Sequence, residues 1–295
     1  MCNATLSKTK RKGTHVIKLV LSDVDGTLIP LGTKLVSPRV IDAIAAVERA
    51  GVRFGLSTGR DKVVLKKQFG GNDIGYRRGI LSNGKKLKVD GNIVRLTLVE
   101  HEGHERIAQM VWEYEGCFAT AYPLNTDPSN PVYCITPREE DVLMWAQRYS
   151  FAGKRVDHVP NEDILGATIA CAQGPEVMSE IVERGKTMCP QFDFVLPAPD
   201  WCDIVPKGLN KGSALSMLLE EMGITKDEVV VFGDAGNDLA ILSAVENSVA
   251  VANATDEVKA AARWHIGSCD DLAVAQALYD IAEVAGTDEP PRFMR

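Results

Sequence analysis

The chain has no excess of basic residues, no paired-cysteine motif and no hydrophobic run long enough to span a membrane. Each absence excludes something. With 33 Lys and Arg against 40 Asp and Glu, the formal charge is −7. Nucleic acid is therefore not an expected partner, because phosphate backbones are held mainly by clustered cations. A small anionic ligand stays open, since one local positive pocket suffices for it. The seven cysteines are scattered singly, with no CxxC pair. That pattern predicts neither a disulfide framework nor a zinc site, and it suits a reducing cytoplasm. No stretch approaches the roughly 18 apolar residues of a spanning helix, so no membrane is expected. The basic stretch from Lys8 to Lys12 leads into no signal-like apolar run and reads as a solvated tail.

What is present is ample for a core. The 295 residues are 45% hydrophobic and 25% charged, which predicts about two domains or one with a large insertion. Short β-branched runs alternate with amphipathic stretches. His15 to Leu21 predicts a buried strand, Ser37-Pro38 a helix start, and Val52 to Leu56 a second strand. Gly79 to Leu81 predicts a third. This alternation is that of an α/β fold, a Rossmann-like doubly wound parallel sheet with helices on its faces. From Lys85 the character changes to hairpins, proline-rich loops and isolated helices, which predicts an inserted α+β domain. The α/β pattern then resumes. The expected division is residues 1–84 and 206–295 for a split core, with 85–205 as the insert.

Parallel sheets bind ligands beyond the carboxyl ends of their strands. Four polar constellations fall there: Asp23 with Asp25, Thr58, Lys211, and Asp234 with Asp238. Asp23 and Asp234, with the backbone carbonyl of Asp25, form a set of hard oxygen donors of the kind Mg²⁺ takes. A carboxylate so held can also attack phosphorus, giving an aspartyl-phosphate. Metal and lysine charges would offset the repulsion between the two anions. Asp25 is placed to act as general acid and then base, with Thr27 expected to hold it. The Thr58 hydroxyl and nearby backbone N–H groups, Gly59's among them, can donate to a phosphate oxygen. Lys211 opens a helix after Asn210, where its charge adds to the positive helix end. Asp238 has three readings: metal binding through water, orientation of Lys211, or a cap for the helix that follows.

Together these segments resemble the haloacid dehalogenase superfamily, and in particular its Cof-type, sugar-phosphatase-like subclass IIB. The matching elements are Asp23-Val-Asp-Gly-Thr-Leu28, Ser57-Thr-Gly-Arg60, Ser82-Asn-Gly84, Leu209-Asn-Lys-Gly212 and Gly233-Asp-Ala-Gly-Asn-Asp238. Val249-Ala-Val-Ala-Asn-Ala254 and Val258-Lys-Ala-Ala-Ala262 are similar as well. The resemblance implies a Mg²⁺-dependent phosphatase acting on a small phosphorylated metabolite, foremost a sugar phosphate, through a phospho-aspartate on Asp23. It implies that Asp25 is the acid/base, that Thr58 and Lys211 bind phosphate and charge, and that Asn83 and Asn237 contact substrate or phosphate. It implies Asp23, Asp25 and Asp234 as metal ligands with Asp238 in support, and the insert as a mobile cap. The chain departs from the family pattern at Ser268-Cys-Asp-Asp-Leu-Ala273, where a Gly often precedes the final helix.

Two other classes compete. A phosphotransferase or mutase shares this core but carries Arg-Asn-Gly where this chain has Ser82-Asn-Gly84. A non-catalytic metabolite-binding protein would be expected to lack Asp23 or Asp25. Glu100-His101-Glu102-Gly103-His104 lacks the His-Glu-x-x-His spacing of a zinc site and is expected to be a solvated turn.

Overall fold

The computed structural model describes residues 16–124, 131–149, 153–287 and 289–295; Cys2 and the Lys8 to Lys12 stretch lie outside them. Among the described residues the chain forms two compact units. One runs to Val94 and resumes from Lys211 to Arg295; the other is Arg95–Asn210.

The first unit starts with β1 (Leu19–Ser22), whose four residues are all buried, as a strand covered on both faces requires. Helix α1 (Pro38–Arg49) begins where expected, with the Ser37 side chain accepting from Val40 N and proline in the first turn. Its Val40, Ala43, Ile44 and Val47 recur at helical spacing and are buried. There follow β2 (Arg53–Ser57), α2 (Lys62–Gln68), β3 (Gly79–Leu81), β4 (Lys86–Val89) and β5 (Asn92–Leu96).

The second unit contains α3 (His101–Val111), β6 (Cys117–Pro123), β7 (Val132–Ile135), α4 (Glu139–Tyr149), β8 (Gly153–Val156) and β9 (Ile164–Cys171). It ends with α5 (Pro175–Met188), β10 (Phe192–Ala198) and β11 (Trp201–Pro206). The chain then returns to the first unit through α6 (Lys211–Met222), β12 (Val229–Gly233), α7 (Leu239–Leu242) and β13 (Asn247–Ala250). Helix α8 (Asp256–Ala261), β14 (Trp264–His265) and α9 (Ala273–Val284) complete it.

The first sheet has the order β14-β13-β12-β1-β2-β3-β4-β5. It is parallel from β14 to β3, and β4 pairs antiparallel with β3. The doubly wound α/β expectation therefore holds. The bounds of the insert are corrected at both ends: β4 and β5 extend the first sheet, and the second unit is Arg95–Asn210 rather than 85–205, with the first unit resuming at Lys211 rather than 206. A hairpin is legible in sequence, but the edge it joins is not.

The loop that departs from the family pattern compensates in its backbone. Leu272 takes φ 56° and ψ 41° immediately before α9, the left-handed conformation that a glycine adopts without steric cost. Its side chain packs on the core of the first unit.

The second sheet, β10-β11-β9-β6-β7-β8, is antiparallel except for β7 beside β8. Cys117, Ala119 and Ala121 of β6 share a cluster with Ile107 and Val111 of α3 and with Met178 and Ile181 of α5. Phe118 and Ala170 instead meet Val142 and Trp145 of α4. No helix among the described residues is long and apolar enough to cross a membrane.

The Glu100–His104 segment corrects the expectation of a solvated turn. Glu100 caps α3 by accepting from Glu102 N and Gly103 N, and His104 is wholly buried. His104 Nε2 lies 3.1 Å from Thr120 O, and Nδ1 has no partner. Burial holds this imidazole down, from the ordinary 6.5 to about 4. The unfolded chain therefore binds a proton that the folded unit refuses as pH falls below 6.5. Stability is full above that value and declines towards pH 4, by on the order of 3 kcal/mol for this group. Chemical denaturation at pH 7 and pH 4.5 should show this loss in the wild-type chain and a smaller one in His104→Gln. Equal losses would assign the acid sensitivity to other groups.

Candidate active site

Strands β1 and β12 are parallel neighbours, with Ser22 opposite Phe232. From β1 the sheet proceeds to β2 on one side, and from β12 to β13 on the other. Such a reversal leaves a crevice beyond the carboxyl ends of the two central strands. Asp23 is the first residue past β1, and its N–H donates to Phe232 O at 3.0 Å. Asp234 is the first residue past β12. Two carboxylates about 200 positions apart in sequence thus leave adjacent strand ends because of the pairing alone.

Lys211, the first residue of α6, reaches between them. Its Nζ donates to Asp23 Oδ1 at 2.8 Å and to Asp238 Oδ1 at 2.6 Å. The side chain is 1% exposed. Burial pulls such an ammonium down, but Asp23 and Asp238 outweigh it and the net shift is upward. Burial pushes the Asp23 carboxyl up to about 7, with Lys211 opposing. Asp234 is also raised, again chiefly by burial. Of the three readings of Asp238, the geometry favours the support of Lys211 and of the local turn. Its Oδ2 accepts from Asp234 N at 3.1 Å and from Ala235 N at 3.2 Å, so both its oxygens are already engaged.

Asp23, Asp234 and Asp238 each offer a carboxylate oxygen within 4.8 Å of the others. Three carboxylates face one ammonium, which leaves a negative excess in a desolvated place. A hard divalent cation fits both the donor type and the charge. Asp23 and Asp234 are the members with an oxygen to give.

The turn after β1 is shaped for this approach. Gly26 has φ 79°, and a Cβ there would sit 2.5 Å from Asp234 Oδ2. Thr27 Oγ1 donates to Asp234 Oδ1 at 2.5 Å, so this threonine holds Asp234 and not, as expected, Asp25. Asn253 Nδ2 donates to Gly26 O at 2.6 Å, while Asn253 Oδ1 accepts from Cys269 N at 2.9 Å. Thr255 N donates to Asp234 O at 3.0 Å.

Asp25 is held by a different partner. Arg60 donates to it in a two-bonded fork, Nη2 to Oδ1 at 2.7 Å and Nε to Oδ2. Thr58 is buried, its Oγ1 accepting from Arg60 N at 3.1 Å. A Cβ on Gly59 would meet Asn83 Nδ2 at 3.1 Å, so glycine lets the two loops touch. Asn83 and the preceding Ser82 both have positive φ, 54° and 51°. Non-glycine residues hold that conformation only where their surroundings enforce it. Asp61 supplies the restraint by accepting from Ser82 Oγ at 3.1 Å and from Lys86 Nζ at 2.6 Å. Asn83 Oδ1 is buried with no protein partner. Asn237 is exposed, in the one-turn helix Gly236–Asp238.

The structure thus gathers Asp23, Lys211, Asp234 and Asp238 into one cluster, and links Asp25, Thr58, Gly59 and Asn83 through Arg60 and the loop contacts. The pairing of Arg60 with Asp25 was not legible in the sequence. Nor was the clamp by Asn253, for which its place in the Val249–Ala254 match was the available signal.

The family described as haloacid dehalogenase-like hydrolase matches residues 20–278. YxeH of Bacillus subtilis, provisionally named a phosphatase, is 28% identical over 280 residues, covering 90% of this chain and 98% of that protein. The HMP-PP phosphatase of Yersinia pseudotuberculosis is 27% identical over 278 residues, covering 89% of this chain and 94% of its own. Among solved structures, the subclass IIB sugar phosphatase BT4131 shares the fold, with a TM-score of 0.68 and 21% identity over 89% of this chain and 98% of that one. With motifs, strand-end carboxylates and relatives in agreement, the chain is an enzyme of the phosphatase kind and belongs to the haloacid dehalogenase-like hydrolase family.

Proposed function

We propose that the chain hydrolyses a small phosphorylated metabolite, foremost a sugar phosphate, by transferring the phosphoryl group to Asp23 and then to water. The observation that carries this reading is the buried Lys211 ammonium on Asp23 Oδ1, beside the Asp234 carboxylate at the neighbouring strand end. A carboxylate in so dry a place favours its neutral form, as the upward shift of Asp23 reflects. Lys211 opposes that tendency, orienting the group and keeping it anionic for attack on phosphorus. Asp23, the backbone carbonyl of Asp25, and Asp234 would hold Mg²⁺, which supplies charge neutralisation for the phosphoryl oxygens.

Asp25 is assigned the proton transfers. It would donate to the leaving oxygen and then accept from the water that attacks the phospho-aspartate. Because Arg60 grips both oxygens of Asp25, that fork must loosen when substrate arrives. Thr58, the Gly59 N–H and Asn83 are assigned to the phosphate, and Asn237 to the substrate rim. The unpartnered Asn83 Oδ1 supports a donor from bound ligand, such as a hydroxyl, while its Nδ2 is the atom that can donate to phosphate. The same proposal gives the inserted unit the role of a cap domain. The six described cysteines, all free and buried, support a cytoplasmic setting.

The test is phosphate release from a panel of sugar phosphates and HMP-PP, with Mg²⁺ and after chelation. Release should depend on added Mg²⁺, and Asp23→Asn should lose it by several orders of magnitude while keeping its circular dichroism. An active Asp23→Asn enzyme would reject the assigned nucleophile, and isomerised product without free phosphate would favour the mutase class.

Lys211→Met removes the cation and leaves Asp23 and Asp238 buried without it. Uncompensated buried charge of this kind costs about 3–5 kcal/mol. Urea denaturation should show that loss, and turnover should fall with it. A stable, active Lys211→Met would show that the ammonium is dispensable.

A further inference from the structure

Two of the buried thiols face one another across the ladder of the second unit. The register sets Cys117, the first residue of β6, opposite Cys171, the last residue of β9. One step outward, Ala172 N donates to Gly116 O at 3.1 Å. Cys117 N is engaged by Tyr114 O, and Cys171 N by Asp200 O. The cysteines therefore occupy a non-hydrogen-bonded position of an antiparallel pair, where Cα atoms approach to about 4.5 Å and side chains stand closest. A disulfide spans Cα separations of roughly 4.4–6.8 Å, so this site can close one with little movement of the backbone. Both thiols are free, and both lie in the cluster with α3 and α5. Cys134 faces Thr120 and Arg155 in the ladder, and Cys202 faces Ile169, so neither has a cysteine opposite.

We propose that Cys117 and Cys171 form an oxidisable dithiol, a modification site that a peroxide converts to a cross-strand disulfide stapling β6 to β9. The Cys171 sulfur attacks one peroxide oxygen and the O–O bond breaks, giving a sulfenic acid on Cys171 and one water. The Cys117 sulfur then attacks the Cys171 sulfur. The S–S bond forms as the S–O bond breaks, and the departing hydroxide leaves as a second water with the Cys117 proton. Each sulfur gives up one electron, and the peroxide takes both. Cys171 is assigned the first step from its place as the last residue of β9, beside the turn that begins at Ala172.

Access comes from the position of the pair. It closes the end of the β6–β9 ladder, beside the turn that begins at Ala172, and ladder ends open at far lower free energy than ladder centres. The staple would join two strands that sit side by side in the middle of the sheet order.

The experiment treats the folded full-length chain with hydrogen peroxide, quenches it, alkylates the remaining thiols in denaturant and maps the peptides. The expected product is lighter by two hydrogens, carries a peptide linking Cys117 to Cys171, and reverts with dithiothreitol. Its thermal midpoint should lie several degrees above that of the reduced chain. Cys117→Ala and Cys171→Ala should each lose the linked product, whereas Cys134→Ala should keep it. Should an alanine variant misfold, the wild-type peptide map decides. Full alkylation of both cysteines after peroxide, a different linkage, or an unraised midpoint would overturn the proposal.

Discussion

One buried ammonium organises the centre of this protein. Lys211 contacts Asp23 from the first part of the split unit and Asp238 from the second, with almost no access to water. Desolvating a lysine is costly, and only two nearby carboxylates make it tolerable. Those carboxylates are in turn tolerable only near the lysine. The arrangement is mutually dependent and still carries surplus negative charge, which is why a divalent cation suits it. Asp238 illustrates the division of labour. Its oxygens are taken by Lys211 and by two backbone N–H groups, so it stiffens the turn that presents Asp234.

Around this centre, hydrogen bonds between loops do the positioning, several of them to carboxylates. Thr27 and Thr255 fasten Asp234, and Asn253 connects Gly26 O to the loop at Cys269. Asp61 connects the loop after β2 to the strained Ser82–Asn83 turn. Every strand-end loop thereby has at least one bond to another. Side chains placed on loops so restrained can hold a fixed geometry while lacking the regular ladder that holds a strand.

Much of this was legible in the sequence, for a definite reason. Parallel strands collect the residues at their carboxyl ends, so recognising Asp23, Thr58, Lys211 and Asp234 as strand-end or helix-start residues was enough to bring them to one rim. What escaped depended on partners that spacing does not specify. Thr27 was close enough to Asp25 in sequence to suggest one bond, and the fold supplied another, to Asp234. Arg60 reaches Asp25 across a gap between loops that only coordinates reveal. The β4–β5 hairpin was visible as a hairpin, but the sheet it joins was not. His104 could have been found: Ile107, Ala108 and Val111 follow it at helical spacing and mark the buried face of α3. The expectation of a turn rested instead on the missing His-Glu-x-x-His spacing and on the segment's place in the insert.

The pairing of β1 with β12 also bears on how the chain comes to be folded. During synthesis β1 emerges early and can pair with β2, yet its other edge stays open until β12 follows, after the whole second unit has been made. Contacts so distant along the chain form slowly, and an unpaired apolar strand is prone to join the wrong neighbour in the meantime. While the second unit is being synthesised the nascent chain therefore carries an exposed strand edge, and that interval is the one in which a chaperone would have most to protect.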